Sequence, residues 1–220
     1  MGFILFALGS CKGPAKQETP ENIVETPEKT LPELLAYKHG FENWKDVQRI
    51  RFTFNIDRDT SHYERSWIWD VRENRVTRMS EADTISYLRS EVDSTLMRVD
   101  GSFINDKFWF LAPYQWVWDS GSFTHSYQED ALAPISGDSM PKLTIVYGNE
   151  GGYTPGDAYD FYLGRDSLVR EWVFRRGNQP EPSVITTWEG YQKFQGLNLS
   201  TRHENAEGSL KFYFTGIAVE

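Results

Sequence analysis

From Lys142 to Arg176 the chain reads KLTIVY, GNEGGYTPGDA, YDFYL, GRDS and LVREWVFRR. Three short β-type runs alternate with loops rich in Gly, Pro, Asn and Asp. Strand side chains point to opposite faces in turn, so a run with every second residue large and apolar offers one face to an interior. Leu143, Ile145 and Tyr147 do this in the first run. Tyr159, Phe161 and Leu163 do it in the second, and Leu168, Trp172 and Phe174 in the third. The pattern predicts an antiparallel meander. Such a sheet must close on itself or wrap around something to bury its apolar face, which constrains every other segment.

The alternation recurs upstream. In Arg49–Asp57 the residues Ile50, Phe52, Phe54 and Ile56 share a face, and Asp57-Arg58-Asp59-Thr60 supplies a turn. His62–Asp70 returns with Tyr63, Arg65, Trp67 and Trp69 on one face, and Arg75–Met79 makes a third strand. Before them, Leu31, Leu34, Leu35 and Lys38 have helical spacing, with Pro32 in the first turn and Gly40 as the stop. Residues 41–44 predict a second short turn. Ile85, Leu88, Val92 and Leu96 predict a helix over Ala82–Val99 with Asp83 as N-cap. Phe108–Leu111 and Gln115–Trp118 predict strands broken at Pro113, and Asp119–Pro141 a loop-rich stretch with one strand near Phe123–Tyr127. Pro182–Tyr191, Leu197–Glu204 and Ser209–Val219 complete an α+β, mainly antiparallel chain of about ten or eleven strands and one or two helices.

The N-terminal residues carry a different signal. Phe3-Ile4-Leu5-Phe6-Ala7-Leu8 is a short apolar run, and Leu8-Gly9-Ser10-Cys11 follows it. This resembles a bacterial lipoprotein leader and its lipobox, which makes residues 1–11 the leader and Cys11 the lipid-attachment residue. It departs from that pattern in having no Lys or Arg ahead of the apolar run. Residues 12–31, with Pro14, Pro20 and Pro27 among Glu, Lys and Thr, read as a flexible tether, and residues 32–220 as one folded domain. Cys11 is the one cysteine, which excludes an internal disulfide and a four-cysteine metal site. The net charge of −9, with no Lys/Arg run, disfavours nucleic acid and broad contact with anionic headgroups. No apolar run reaches the roughly 20 residues needed to span a bilayer.

No catalytic signature or cofactor motif stands out. His39, His62, His125 and His203 lie in four separate segments, without the spacing of a metal site or triad. Asp57/Asp59 and Asp157/Asp160 fall in turn sequence, where Asp serves the backbone. The GGYTPG run at 151–156 lacks the Lys of a phosphate loop and reads as a long hairpin connection at a cavity rim. The aromatic residues are more telling. Trp67/Trp69 and Trp116/Trp118 are W-x-W pairs whose rings would share a strand face, as a cavity wall, a stacking platform for sugars, or plain core. Eight Trp are generous for filling one domain, which favours a cavity. Arg170 shares the face of Trp172 and Phe174, placed to meet an acyl carboxylate or phosphate.

Three segments carry a family resemblance. Residues 36–47, AYKHGFENWKDV, resemble the A-x-x-H-G-G-x-x-x-W opening of Bacteroidetes-type lipoproteins of the LolA/LolB-like superfamily, with Phe41 where a second Gly is usual. Phe103–Trp109 with Leu111–Tyr114, and Gly151–Asp160, resemble further motifs of that group. The resemblance runs from Pro32 to the C-terminus. It implies a strongly curved, unclosed β-barrel with helices across its concave face and an apolar cavity between them. Together with the Cys11 leader, the residues Lys12–Lys16 after it and the lack of a catalytic constellation, the reading is of a non-catalytic, cofactor-free protein of the cell envelope, lipid-anchored at the periplasmic face of the outer membrane. Such a protein would bind or carry a lipid or the acyl chains of a lipoprotein, alone or with a partner membrane complex. Candidate ligand residues are then Trp67, Trp69, Trp109, Trp116, Trp118, Arg170, Trp172 and Phe174. Two alternatives stay open: a glycan-binding lipoprotein using exposed Trp side chains, and a structural lipoprotein with a filled core.

Overall fold

The computed structural model describes residues 1–2, 28–150, 153 and 155–220. The leader with Cys11, residues 12–27 of the tether, and Gly151, Gly152 and Thr154 lie outside the described residues. Helix α1 spans Leu31–Lys38, with the Thr30 N–H donating to the Glu33 carboxylate at 2.7 Å across the first turn. It stops at Gly40, whose φ of +93° and tight surroundings admit no side chain: a Cβ there would sit 2.2 Å from the Gly196 carbonyl oxygen. A 3₁₀ turn, Phe41–Asp46, then leads into the first sheet.

That sheet holds β1 (Arg49–Arg58), β2 (Ser61–Asp70), β3 (Arg75–Met79) and β4 (Thr84–Leu88). After it come α2 (Met97–Trp118) and a second meander of β5 (Phe123–Leu132), β6 (Ser139–Tyr147), β7 (Ala158–Leu163), β8 (Val169–Arg175) and β9 (Val184–Thr187). A small hairpin, β10 (Gln192–Phe194) with β11 (Leu197–Leu199), precedes β12 (Arg202–Glu204) and β13 (Leu210–Val219). The order β12-β13-β1-β2-β3-β4 makes one sheet and β5-β6-β7-β8-β9 the other, every pairing antiparallel. The sheets meet through a bridge between Glu189 and Arg202. At the far ends β4 and β5 are not paired with each other, so the curved surface is an unclosed barrel, as expected.

Helix α2 fills the trough. Its Phe103 packs against Trp67 and Trp69 of β2, and its Phe110 against Phe52 and Phe214 of β1 and β13. Trp109 meets Phe212 and Trp172, and Trp116 meets Phe161, so the helix touches both sheets. Two expectations are corrected here. The strands expected at Phe108–Leu111 and Gln115–Trp118 are the second half of α2. A helix walled in by sheets is apolar on most sides, so its helical period is masked and its aromatic residues mimic strand propensity. Pro113 does break regularity, as a kink at Leu111 (φ −126°, ψ 21°) within the helix. The helix expected over Ala82–Val99 is also absent: β4 occupies Thr84–Leu88, paired with β3, and α2 starts only at Met97. There Tyr87 is buried while Thr84 and Ser86 are exposed, and that alternation is what the sparse Ile85/Leu88/Val92/Leu96 spacing concealed. Asp83 accordingly caps no helix; it closes a turn with Ser80 and Arg78. The 119–141 stretch also carries more strand than expected.

Candidate ligand cavity

A cavity of about 570 Å³ lies between α2 and the two sheets. Helix α2 contributes Ile104, Phe108 and Trp109, β1 and β13 contribute Ile56 and Phe212, and the second meander contributes Tyr159, Trp172, Phe174 and Val184. The volume falls in the range of about 300–1,000 Å³ typical of small-molecule sites. Asn105 and Arg176 add polar character to a mainly apolar wall, and Arg176 is its charged member among the described residues. The alternation of β8 explains the composition: Trp172 and Phe174 share the face turned to α2, while Glu171 points the other way to accept the Ile135 and Ser136 N–H groups.

The sequence candidates divide into three groups. Trp109, Trp172 and Phe174 come together in the cavity wall, with Trp109 and Trp172 ring centroids 4.4 Å apart. Trp67 and Trp116 are fully buried core residues. Trp69 and Trp118 do not line this cavity; with Trp44, Lys107 and Gln115 they line a depression of about 310 Å³. Arg170 is not among the cavity's lining residues: it pairs with Asp166 at 2.5 Å and covers the Tyr191 ring. His39 serves the fold. Its Nδ1–H donates to the Leu35 carbonyl (3.0 Å) and its Nε2 accepts the Val169 N–H (3.4 Å). Burial lowers its pKa to about 4 and keeps the ring neutral. His203 is equally buried, between Trp109 and Trp188, and its pKa falls to about 3 for the same reason.

Sequence reasoning passed over the polar residues of α2. Asp106 is completely buried and accepts from Arg65 Nε (2.7 Å), Arg65 Nη2 (2.5 Å), Trp67 Nε1 (2.8 Å) and Asn105 Nδ2 (3.0 Å). This fastens the helix to β2. Burial pushes the Asp106 carboxyl up, and Arg65 opposes it. Nearly two turns earlier Asp100 accepts from Arg89, Tyr87 and Tyr153, and its carboxyl is held below the usual range despite burial. Lys107, 5% exposed, lies over the Trp69 and Trp118 rings at 5.2 and 5.1 Å. Burial lowers its pKa to about 8. The available signal was the run Asn105-Asp106-Lys107 inside an otherwise aromatic segment, since charges placed there must be paired or used. Among the described residues, no group of three or more His, Cys, Asp or Glu is placed to hold a metal.

An open, strongly curved antiparallel sheet wrapped around a buried helix, with an apolar cavity beside that helix, is the LolA-like fold. A LolA superfamily protein from Nitrosomonas europaea superposes with a TM-score of 0.52 at 10% identity, over 87% of this chain and 94% of that one. A DUF1329 family protein from Desulfovibrio piger gives 0.49 at 13% identity, over 86% of this chain and 92% of that one. A putative outer membrane lipoprotein-sorting protein domain from Vibrio parahaemolyticus gives 0.44 at 9% identity, over 84% and 93%. No protein-family model and no curated protein matches the chain. At 10% identity the likeness to the Nitrosomonas europaea protein carries the fold and not the function.

Proposed function

We propose that this is a non-catalytic binding protein for an apolar chain, a lipid or the acyl chains of a lipoprotein. In this reading lipid on Cys11 holds it at the cell envelope, residues 12–31 are the tether, and residues 32–220 bind. The observation that carries it is the cavity walled by Trp109, Trp172 and Phe174. Burying an acyl chain there gains about 25 cal/mol per Å² of apolar surface, which needs no chemistry beyond shape and dryness. Two of the walls are indoles, so a brominated acyl chain should quench Trp fluorescence on entry. Ile56→Trp places a bulky ring in this cavity and should abolish quenching. Undiminished uptake by that variant would rule out the cavity as the site.

Glycan binding is a second reading with one observation in its favour. The depression lined by Trp44, Trp69 and Trp118 also carries Asn74, Gln115 and Asp119, the ring-plus-amide composition that stacks and hydrogen-bonds a sugar. Trp44→Ala would then lose oligosaccharide binding while acyl uptake persists.

A further inference from the structure

The apolar cavity has a polar neighbour. A second cavity, about 350 Å³, is lined by Arg89, Lys107, Gln115, Asp119 and Tyr147, and it shares Ile104, Phe108 and Tyr153 with the first. The two spaces thus adjoin along one edge of α2. Lys107 is the unusual group there. Its ammonium makes no hydrogen bond or ion pair with any described residue, although the side chain is 95% removed from solvent (5% exposed). Of the nearby acids, Asp100 accepts from Arg89, Tyr87 and Tyr153, Asp119 accepts the Tyr147 hydroxyl at 3.0 Å, and Glu150, which lines the same cavity, is exposed to water; none of the three hydrogen-bonds the ammonium. Two indole faces compensate Lys107 only in part, because a cation–π contact replaces neither the hydrogen bonds nor the counter-charge lost on burial.

We infer that the ligand is an anionic amphiphile, with its chain in the apolar cavity and its carboxylate or phosphate head at Lys107, Gln115 standing beside it. The inference rests on the acyl-binding reading and adds to it the head that the site selects. Arg176, which also lines the apolar cavity, is the rival reader of that head. It is exposed and therefore hydrated, so an ion pair there gains little over water. An ammonium that is largely removed from water and faces the cavity without a hydrogen-bond or ion-pair partner gains most from an incoming anion, which supplies charge and hydrogen bonds together.

The test compares hexadecanol, palmitate and hexadecyl phosphate, which share a chain and differ in head, on the purified full chain by titration calorimetry. Wild type should bind at least one of the anions tenfold or more tighter than the alcohol. Lys107→Met keeps the length of the stem between the two indoles, and Lys107→Gln provides a polar control. Both should lose most of that preference while still taking up hexadecanol, which also reports that they are folded. Hexadecanol bound as tightly as both anions by wild type would overturn the inference and leave the acyl cavity standing. A preference that survives in Lys107→Met, or disappears in Arg176→Gln instead, would also overturn it. Binding of none of the three would remove the acyl reading and this inference together.

Discussion

Asp106→Ala should be among the most damaging single substitutions in this protein, because it breaks the polar fastening between α2 and the first sheet. The carboxylate accepts two hydrogen bonds from the Arg65 guanidinium and one from the Trp67 indole, at a position with no solvent exposure. Removing it strands a charge and a buried donor. Breaking a buried ion pair from one side costs about 3–5 kcal/mol. The lower part of that range applies, since the Arg65 side chain keeps 18% of its surface in water. At about 2–4 °C per kcal/mol for a chain of this size, the midpoint of thermal unfolding should fall by about 6–15 °C. The informative control is Arg65→Met combined with Asp106→Leu. It removes both charges, leaving chiefly the Trp67 N–H unpartnered at about 1–3 kcal/mol. The double variant should therefore be more stable than Asp106→Ala alone, although it carries one more substitution. Differential scanning calorimetry and urea titration would measure both. A loss below about 1 kcal/mol for Asp106→Ala, or a double variant less stable than the single, would refute the claim that this pair anchors the helix.

Three further outcomes are expected. Gly40→Ala forces an L side chain into φ +93° and against the Gly196 carbonyl, so a loss well above the about 1–2 kcal/mol of left-handed strain alone should appear in urea titration. Acid should destabilise the fold earlier than carboxylates alone would bring about. His39 and His203 have folded pKa values lowered from 6.5 to about 4 and about 3, so the unfolded chain binds more protons and stability falls as pH drops below 6.5. Two such groups give a slope of up to about 2.7 kcal/mol per pH unit between pH 6 and 5; stability that stays flat from pH 7 to 5 would show that the two rings are not buried neutral. In a homologous acyl series, each added methylene should tighten binding about fourfold, from about 0.8 kcal/mol per buried CH₂, until the cavity is full, and displacement titrations would read the plateau.

Legibility in the sequence followed exposure to contrast. β1, β2 and β3 were readable almost to the residue because each alternates along its length, and Ile50/Phe52/Phe54 against Arg49/Arg51/Thr53 is an unambiguous period of two. Residues 97–118 have no such contrast. Buried on most sides between two sheets, they present aromatic residues in every direction, and neither period survives. The missed helix also left the cavity's construction unread. Trp109 joins Trp172 and Phe174 only because α2 crosses the trough, a tertiary fact that no local pattern encodes. Arg170 illustrates the limit of parity arguments: it has the right strand face, but Asp166 and Tyr191 hold it at the edge. Lys107 was hidden for the opposite reason, since just ahead of a strand expected at Phe108–Leu111 it reads as an ordinary surface cation.

The missing seam between β4 and β5 bears on how such a protein accommodates guests of different girth. In a closed barrel the diameter is fixed by strand number and stagger, and widening it means breaking a ladder of hydrogen bonds. Here no ladder spans the gap, so the circumference is not a fixed quantity. The width of the trough is set by the side chains of the helix wedged in it, packed against both sheets. Capacity in this architecture is thus a property of packing, adjustable by side-chain volume along a single helix while every strand pairing stays in register.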